Sequence, residues 1–262
     1  MLDNHFIPNG FGIMPAIHIF GMNISSYTLF VSLALICGLV CFALLSKRAD
    51  ISKADRLLIL LSALTGGILG SKIPIVITRF NMMFTFPENI NLLYSEKSIV
   101  GGLIGGFLGV LIIKKIFKIK IKMGNDIAPA AALGMAIGRL GCFFTGCCYG
   151  KATGFNFGIN FGDGILRHPT QLYEFTFNLI LFAVLLYLRL KTEQKPGALF
   201  KVLVNSYLIF RFFNEFLRDT QMILPFLTYY QLICVLCLIF FNRNILINII
   251  KKVFVFKRKE KY

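Results

Sequence analysis

The sequence predicts an all-α membrane protein with about seven transmembrane helices, an N-terminus outside the cytoplasm and a cytoplasmic C-terminus. The chain has 262 residues, is 56% hydrophobic and has a mean hydropathy of +0.74. It contains several apolar runs of about 20 residues, the length that crosses a hydrocarbon core roughly 30 Å thick. A soluble domain of this size does not carry such runs, so residues 1–262 are expected to form a single polytopic membrane domain.

Seven apolar segments are candidate spans. They run over about 26–45, 57–77, 99–113, 127–144, 172–188, 198–216 and 227–247. Loops or tails rich in lysine and arginine follow the first, third, fifth and seventh segments, and such basic loops are typical of the cytoplasmic side. Residues 1–25 are therefore predicted to be an extracytoplasmic N-terminal segment, and residues 248–262 a basic cytoplasmic tail.

The net charge of +16 does not indicate a nucleic-acid partner. The lysines and arginines lie in short loops and in the C-terminal tail, whereas a nucleic-acid surface needs a folded basic face. Membrane lipids are the expected surroundings, and the tail is expected to anchor the topology rather than to recognise a particular lipid.

Glycines repeat every four residues in two of the spans. The repeats are Gly101, Gly105 and Gly109, then Gly102 and Gly106, and then Gly134 and Gly138. This spacing lets helix backbones approach closely within lipid. The glycines are predicted to hold the third and fourth spans against each other.

Two arginines lie deep inside predicted spans. Arg139 is 12 residues beyond Ile127, which places it roughly 18 Å along its helix and in the outer half of the membrane. Arg211 lies at a similar depth in the sixth span, with Glu215 one turn further on and Arg218 beyond it. Charge in a membrane is expensive, so these arginines are functional candidates.

Further polar groups enter their spans from the same outer side. They include Tyr27 of the first span, Gly101 at the start of the third and Glu174 of the fifth. Two or three arginines with few acids predict a site for an anion such as a lipid phosphate, because a guanidinium group binds phosphate with two parallel hydrogen bonds. Structural ion pairs between helices are the alternative, and the charges alone favour neither.

Three cysteines, Cys142, Cys147 and Cys148, lie at the outer end of the fourth span. Their spacing is not a usual zinc pattern and no histidine pair accompanies them, so no metal site is expected. A disulfide among them, or a reactive thiol, fits an oxidising face of the membrane better. His168, just before the fifth span, is either a surface residue or a general base.

Four segments and one tyrosine make the sequence similar to the prolipoprotein diacylglyceryl transferase family. The segments are Gly138-Arg139-Leu140-Gly141 followed by Phe143, Gly146 and Gly150; Arg167-His168-Pro169-Thr170-Gln171-Leu172-Tyr173-Glu174; Arg211-Phe212-Phe213-Asn214-Glu215-Phe216-Leu217-Arg218; and Gly101-Gly102-Leu103-Ile104-Gly105. Tyr27 resembles a tyrosine at the start of the family's first span. The second segment is the most specific, and the resemblance covers essentially the whole chain.

The resemblance implies a multi-pass enzyme of the bacterial plasma (inner) membrane. It would move the diacylglyceryl group from phosphatidylglycerol to the lipobox cysteine thiol of a preprolipoprotein and release glycerol 1-phosphate. By the same resemblance Arg139 and Arg211, with Arg218 as a third candidate, would hold the phosphate, and Glu174 and Glu215 would orient them. Substrate contacts are further expected at Tyr27, Gly101, Gly102, Cys142 and Cys147, and no metal or organic cofactor is implied.

The chain departs from the family pattern at several positions. Val100 stands where the family has a histidine, and Cys142, Thr145 and Cys147 replace asparagines and a glutamate. His168 is therefore nominated as the base of a divergent member. The alternatives are a changed lipid or acceptor, a cysteine nucleophile that carries the lipid covalently, a membrane lipid transporter, and a thiol-redox protein.

Overall fold

The computed structural model describes residues 12–19, 22–46, 52–85, 98–218, 220, 222–224 and 227–243. The α-helices are α1 (Ser26–Leu45), α2 (Lys53–Thr85), α3 (Ile99–Ile116), α4 (Gly124–Thr145), α5 (Thr170–Lys191), α6 (Ala198–Asn214) and α7 (Tyr229–Arg243). A 3-10 turn, Glu215–Leu217, continues α6. Each predicted apolar segment therefore contains a helix.

Among the described residues five helices, α1 to α5, are long and apolar enough to cross a membrane. α6 has 17 residues and α7 is also short, while residues 244–247 of the predicted seventh span lie outside the described residues. Large apolar side chains on the outer faces are exposed, such as Ile68 at 64% and Leu69 at 70%. The fold is thus that of a multi-pass helical membrane protein, and seven spans and their orientation stay predictions.

In the described part of the chain three short antiparallel hairpins accompany the helices, which a purely α-helical prediction did not include. They are β1 (Ala16–Ile19) with β2 (Met22–Ser25), β3 (Ile159–Asn160) with β4 (Leu166–Arg167), and β5 (Met222–Leu224) with β6 (Leu227–Thr228). They adjoin the start of α1, the end of α4 and the end of α6, and their neighbouring loops are bonded together. The Gly12 N–H donates to Phe161 O at 2.7 Å, and the Lys151 N–H donates to Leu217 O at 2.8 Å. We call this layer the hairpin cap.

Helix α4 is the centre of the bundle and packs against α1, α5 and α6. Small residues allow this contact: Ala128, Ala132 and Ala136 are fully buried along α4. At the far end from the hairpin cap, Arg189 of α5 forms an ion pair with Asp126 in the first turn of α4, with Nη2 2.6 Å from Oδ1. This pair fixes α4 and α5 as antiparallel neighbours.

Helix α3 packs chiefly against α2, which corrects the prediction that its glycines hold it against the fourth span. A Cβ atom added at Gly101 would clash with Gly70 and Pro74, and one added at Gly105 would clash with Gly66 and Gly70. The repeat does allow close approach of backbones, as predicted. The partner differs because α2 carries a matching run of glycines.

The glycines of α4 behave differently from one another. A Cβ at Gly134 would lie 3.4 Å from the carbonyl oxygen of Ala34 in α1, whereas one at Gly138 would meet nothing within 4 Å. Gly138 is therefore not a helix contact. Gly141 takes that place, since a Cβ there would lie 3.0 Å from Phe30 Cβ and 3.4 Å from the Tyr27 backbone.

An apolar cavity of about 470 Å³ lies among α1, α2, α3 and α4. Its lining is mostly aliphatic and aromatic and includes Gly102, Phe107 and Phe200, and its charged lining residues are Lys114 and Lys122. Lys122 lies just before α4 and Lys114 in the last turns of α3. The two lysines thus lie near the ends of their helices that face away from the hairpin cap.

Candidate active site

One carboxylate oxygen joins three helices beneath the hairpin cap. Arg139 of α4 contacts Glu174 of α5, with Nη2 2.7 Å from Oε1, and the hydroxyl of Tyr207 in α6 donates to the same oxygen at 2.8 Å. The side chain of Arg139 is 8% exposed and that of Glu174 is fully buried. Both charges are therefore held away from water in one fixed geometry.

A second buried carboxylate organises the end of α6. Arg211 Nη1 lies 2.7 Å from Glu215 Oε2, and Arg218 Nε lies 4.0 Å from the same oxygen. The other oxygen, Oε1, accepts from the hydroxyls of Thr220 at 2.9 Å and Thr228 at 3.3 Å. Glu215 thereby ties α6 to the loop and hairpin that lead into α7.

The arginine of this second pair also has an aromatic neighbour. The guanidinium carbon of Arg211 lies 4.9 Å from the ring centre of Tyr230 in α7, a distance at which a cation and an aromatic ring attract each other. Gln231, one residue on, donates from Nε2 to the Phe212 carbonyl at 3.3 Å. α7 thus supports the arginine-bearing end of α6 from outside.

The two ion pairs form one electrostatic group. The positive charges of Arg211 and Arg218 attract the carboxylate of Glu174 across the contact between α5 and α6, in addition to that of Arg139. The three guanidinium groups and two carboxylates carry a net charge of +1, and all five side chains are buried. Part of the group has unused hydrogen-bonding capacity among the described residues: Arg139 Nε and Glu174 Oε2 are buried without a hydrogen bond. Such a group favours an added anion.

The segment 167–174 builds the wall beside this group. Thr170 donates from its hydroxyl to the Cys148 carbonyl at 2.8 Å, and Gln171 donates from Nε2 to the Cys147 carbonyl at 2.7 Å. The segment that carries the most specific part of the sequence resemblance therefore binds the loop after α4 to the start of α5.

The loop after α4 turns back over the helix end. Gly146 has φ +74° and ends α4, and Cys148 has φ +63°, a left-handed backbone that a residue with a side chain seldom adopts. The Cys147 N–H donates to the Cys142 carbonyl at 3.0 Å. As a result the sulfur atoms of Cys142, Cys147 and Cys148 lie within 4.8 Å of one another. The disulfide considered from the sequence is not formed, since all three are free cysteines, but their sulfurs are brought together.

Cys142 also borders the arginine group, because Arg139 Nη1 lies 3.9 Å from its sulfur. Tyr27 lies where α1 packs against Gly141, so the first span approaches the same end of α4. Of the two glycines proposed as substrate contacts, Gly102 lines the apolar cavity, whereas Gly101 packs against Gly70 and Pro74 of α2.

His168 belongs to the hairpin cap. Its Nδ1 lies 3.3 Å from the Tyr173 hydroxyl, and its ring centre lies 5.9 Å from that of Phe155. No contact between His168 and the Arg139–Glu174 pair is present among the described residues, and its role as a base stays a prediction. Val100, at the position of the family histidine, is buried and packs in the cluster that contains Tyr207.

Arg167 has a structural neighbour in the hairpin cap. Its guanidinium donates twice to Asp163 Oδ2, from Nη2 at 2.6 Å and from Nε at 3.1 Å, and lies 4.7 Å above the ring of Tyr149. Slight burial would raise the pKa of Asp163, but the hydrogen bonds from Arg167 and from the Ile165 N–H lower that pKa below its ordinary value. The pair closes the turn between β3 and β4.

The sequence interpretation missed Tyr207 and the two threonines on Glu215. Tyr207 is one helical turn before Arg211, and a polar ring on the arginine face of a helix was the signal that could have identified it. Thr220 and Thr228 carried no such signal, because they lie in a loop and in the two-residue strand β6, whose packing onto α6 follows no helical period.

Comparison with known proteins bears directly on this arrangement. A sequence model of the prolipoprotein diacylglyceryl transferase family matches residues 15–247. The chain is 32% identical over 207 residues to a phosphatidylglycerol–prolipoprotein diacylglyceryl transferase of Clostridium tetani, which covers 76% of this chain and 83% of that protein. Proteins of the same name from Finegoldia magna and Clostridium botulinum are 32% and 31% identical, over 86% and 89% of this chain and 91% and 98% of their own lengths.

The family match spans α1 to α7 and includes the Arg139, Glu174, Arg211 and Glu215 group and the loop that holds Cys147 and Cys148. The matched residues thus include all seven helices and the buried arginine group of this chain. The chain belongs to the prolipoprotein diacylglyceryl transferase family.

Proposed function

We propose that this chain transfers the diacylglyceryl group of phosphatidylglycerol to a prolipoprotein and releases glycerol 1-phosphate. The observation that supports this most directly is the buried group of Arg139, Arg211 and Arg218 with its net positive charge. Family membership supports the donor and the acceptor, since the relatives are named for phosphatidylglycerol and prolipoprotein.

The reaction is a displacement at a glycerol carbon. A thiolate forms the C–S bond, the C–O bond to the phosphate breaks, and the electron pair leaves with the phosphate oxygen. The leaving glycerol phosphate gains negative charge, and fixed guanidinium groups in a dry site stabilise that charge. We assign the phosphate to Arg139 and Arg211, with Arg218 as the third candidate, because these three buried cations exceed the two buried carboxylates by one positive charge.

Glu174 and Glu215 hold the arginines in place rather than react. Each carboxylate has one oxygen within 2.7 Å of a guanidinium nitrogen, and each is further bonded by a hydroxyl group of Tyr207 or Thr220. Tyr207 is accordingly a positioning residue for Arg139. His168 is retained as a candidate base that would act from the hairpin cap.

The apolar cavity among α1 to α4 suits the acyl chains of the donor. Its lining is almost entirely apolar, and its volume of about 470 Å³ lies within the range of roughly 300–1,000 Å³ that is usual for ligand pockets. Gly102 lies on its wall, and we assign it to the acyl chains. Tyr27, Cys142 and Cys147 are proposed to contact substrate nearer the arginine group, whereas Gly101 is buried against Gly70 and Pro74 of α2.

The setting proposed for this reaction is the bacterial plasma (inner) membrane. Seven spans would place residues 1–25 and the hairpin cap outside the cytoplasm, and the basic tail 248–262 inside. The acceptor would then be the lipobox cysteine of a preprolipoprotein that reaches the site from the outer half of the membrane.

A transfer assay in proteoliposomes tests the proposal. Radiolabelled phosphatidylglycerol and a lipobox peptide are incubated with the native protein, with Arg139→Ala and with Arg243→Ala. Arg243 is exposed at the end of α7, with its guanidinium 5.7 Å from the Phe240 ring, and serves as the matched control. We expect Arg139→Ala to lose about 10²–10³-fold in kcat, because one charge-stabilising group is gone, and Arg243→Ala to stay near the native rate.

A cooperative unfolding transition in detergent would show that each variant is folded, with a lower midpoint expected for Arg139→Ala because Glu174 loses its counter-charge. Full activity of folded Arg139→Ala would remove this arginine from the phosphate site. If the native protein binds labelled lipid but forms no labelled peptide, this result contradicts the transferase proposal itself.

A further inference from the structure

Three sulfur atoms converge beside the arginine group. Those of Cys142, Cys147 and Cys148 lie within 4.8 Å of one another, and Cys142 Sγ lies 3.9 Å from Arg139 Nη1. Cys142 belongs to the last turn of α4, whereas the other two cysteines belong to the loop that folds back over it. The proposed transfer uses none of these sulfurs as a reacting group.

The backbone holds the three thiols in this arrangement. Cys148 keeps a left-handed backbone with φ +63°, which costs on the order of 1 kcal/mol or more for a residue with a side chain. The carbonyls of Cys147 and Cys148 are fixed by Gln171 and Thr170. A strained conformation held by two side chains from another helix is typical of a preorganised site.

We propose that Cys142, Cys147 and Cys148 bind one thiophilic divalent cation of the zinc class and leave its fourth coordination position for a thiolate from outside. Thiolate sulfur is the ligand that selects zinc over magnesium or calcium. At a Zn–S distance of about 2.3 Å, tetrahedral geometry separates two sulfurs by roughly 3.8 Å. The three sulfurs all lie within 4.8 Å of one another, at most about 1 Å beyond that value.

The surrounding charge suits an occupied site. Three thiolates and one divalent cation carry a net charge of −1, and the guanidinium of Arg139 stands 3.9 Å from one of the sulfurs. A disulfide would use only two of the three sulfurs and would leave the third beside it without a role. One cation uses all three sulfurs, which favours metal binding over oxidation.

The fourth position has to be filled from outside this group. Among the described residues no further histidine, cysteine, aspartate or glutamate joins the three cysteines as a ligand group. Three protein ligands with one open position are the pattern of reactive zinc sites, whereas structural zinc sites have four. An incoming ligand therefore binds the cation directly.

The acceptor thiol is the ligand that suits this open position, and this part of the inference rests on the proposed function. A thiol that binds the cation loses its proton to water, and the sulfur–metal bond takes its place. The resulting thiolate lies beside Arg139, where the phosphate of the donor is assigned. Neither His168 nor the residue at position 100 supplies a base in contact with the Arg139–Glu174 pair among the described residues.

A cobalt titration of the reduced full-length protein in detergent tests the site without any transfer assay. Co²⁺ bound by thiolates gives an intense charge-transfer band in the near ultraviolet. We expect this band to saturate at one equivalent in a protein with Cys37, Cys41, Cys234 and Cys237 changed to serine, which keeps only the three clustered cysteines. We expect it to be lost in Cys142→Ser/Cys147→Ser/Cys148→Ser.

Two results would overturn the metal site. One is the absence of the cobalt band in the variant that keeps only the three clustered cysteines, when that variant is reduced and unfolds at the same temperature as the native protein. The other is a band that survives in the clustered triple variant. If the triple variant does not fold, Cys142→Ala alone is measured, and an unchanged cobalt affinity in that variant also overturns the site.

A peptide titration then tests the open position, with no lipid donor present. A lipobox peptide is added to the cobalt-loaded protein, and its cysteine-to-serine counterpart is the control. We expect an added thiolate band with the cysteine peptide alone. If the cobalt spectrum does not change at saturating peptide, the acceptor thiol does not bind the cation and that part of the inference is overturned. Failure of the transferase proposal would show only in the proteoliposome transfer assay.

Discussion

At the scale of single residues, Glu174 connects α4, α5 and α6 through one carboxylate oxygen. Its Oε1 binds Arg139 at 2.7 Å and accepts from Tyr207 at 2.8 Å in a fully buried position. We expect Glu174→Gln to destabilise the protein by about 3–5 kcal/mol, because it leaves a buried guanidinium without its counter-charge. We also expect loss of transfer activity, because Arg139 is no longer oriented. Chemical unfolding in detergent measures the first effect.

The exposed ion pair of the hairpin cap provides the matched control. Asp163→Asn removes a carboxylate that also binds an arginine at 2.6 Å, but with 26% of its side chain exposed. Exposed pairs contribute about 0–1 kcal/mol, so this variant should unfold close to the native protein. Equal destabilisation by the two variants would show that burial of Glu174 does not decide its effect.

The buried charged residues could be predicted from sequence because charges inside apolar runs are rare. Arg139, Arg211, Glu215 and Glu174 stood out for this reason, and the structure places all of them in one group. Tyr207 did not stand out, since a tyrosine in an apolar helix is ordinary. The convergence of the three clustered cysteines was also hidden, because it depends on the left-handed backbone at Gly146 and Cys148.

At the scale of elements, the contact between α2 and α3 depends on glycine. A Cβ at Gly105 would clash with the Gly66 carbonyl and with Gly70 Cα, both of which are backbone groups that cannot rotate away. We expect Gly105→Ala to force the helices apart and to cost about 1–3 kcal/mol. The thermal midpoint in detergent, compared with that of the native protein, measures this change.

Gly138 in α4 is the matched control for Gly105. A Cβ there meets nothing within 4 Å, and alanine favours a helix by up to about 1 kcal/mol over glycine. Gly138→Ala should therefore unfold at or above the native midpoint. A loss equal to that of Gly105→Ala would mean that helix contacts do not explain the glycine repeats.

The helices themselves were predictable, whereas their partners were not. Apolar length predicted a helix in each of seven segments, and the described ends lie within about four residues of the predicted ones except at the end of α2, which runs on to Thr85 instead of about residue 77. The same glycine repeat assigned α3 to the wrong neighbour, because a repeat describes one face of a helix and says nothing of which helix covers it. Only α2 presents Gly66 and Gly70 at the matching positions.

At the scale of the whole molecule, polar and apolar functions are separated along the bundle. The arginine group and the clustered cysteines lie under the hairpin cap, at the end of α4 and the start of α5. The cavity reaches toward Lys114 and Lys122 at the opposite helix ends. This division matches an amphiphilic donor with its headgroup at one end and its acyl chains within the bundle.

The orientation of this division in the membrane can be measured across α5. Glu174 lies near the start of α5, and Arg189, which pairs with Asp126 at 2.6 Å, lies near its end. The basic loop that contains Lys195 follows this end. Since basic loops stay in the cytoplasm, Lys195 is expected inside. Phe157, 79% exposed in the hairpin cap, is expected outside. A membrane-impermeant maleimide should then label Phe157→Cys in spheroplasts and Lys195→Cys only after permeabilisation.

The native protein, labelled in parallel, corrects for its own cysteines, all of which are buried or partly buried. The reverse pattern would place the arginine group in the cytoplasmic half of the membrane. An acceptor arriving from outside would then reach the cavity end first, which conflicts with a lipobox thiol that meets the phosphate beside Arg139. Labelling of both positions in spheroplasts would instead mean that α5 does not span the membrane, although its 22 residues are long enough to do so.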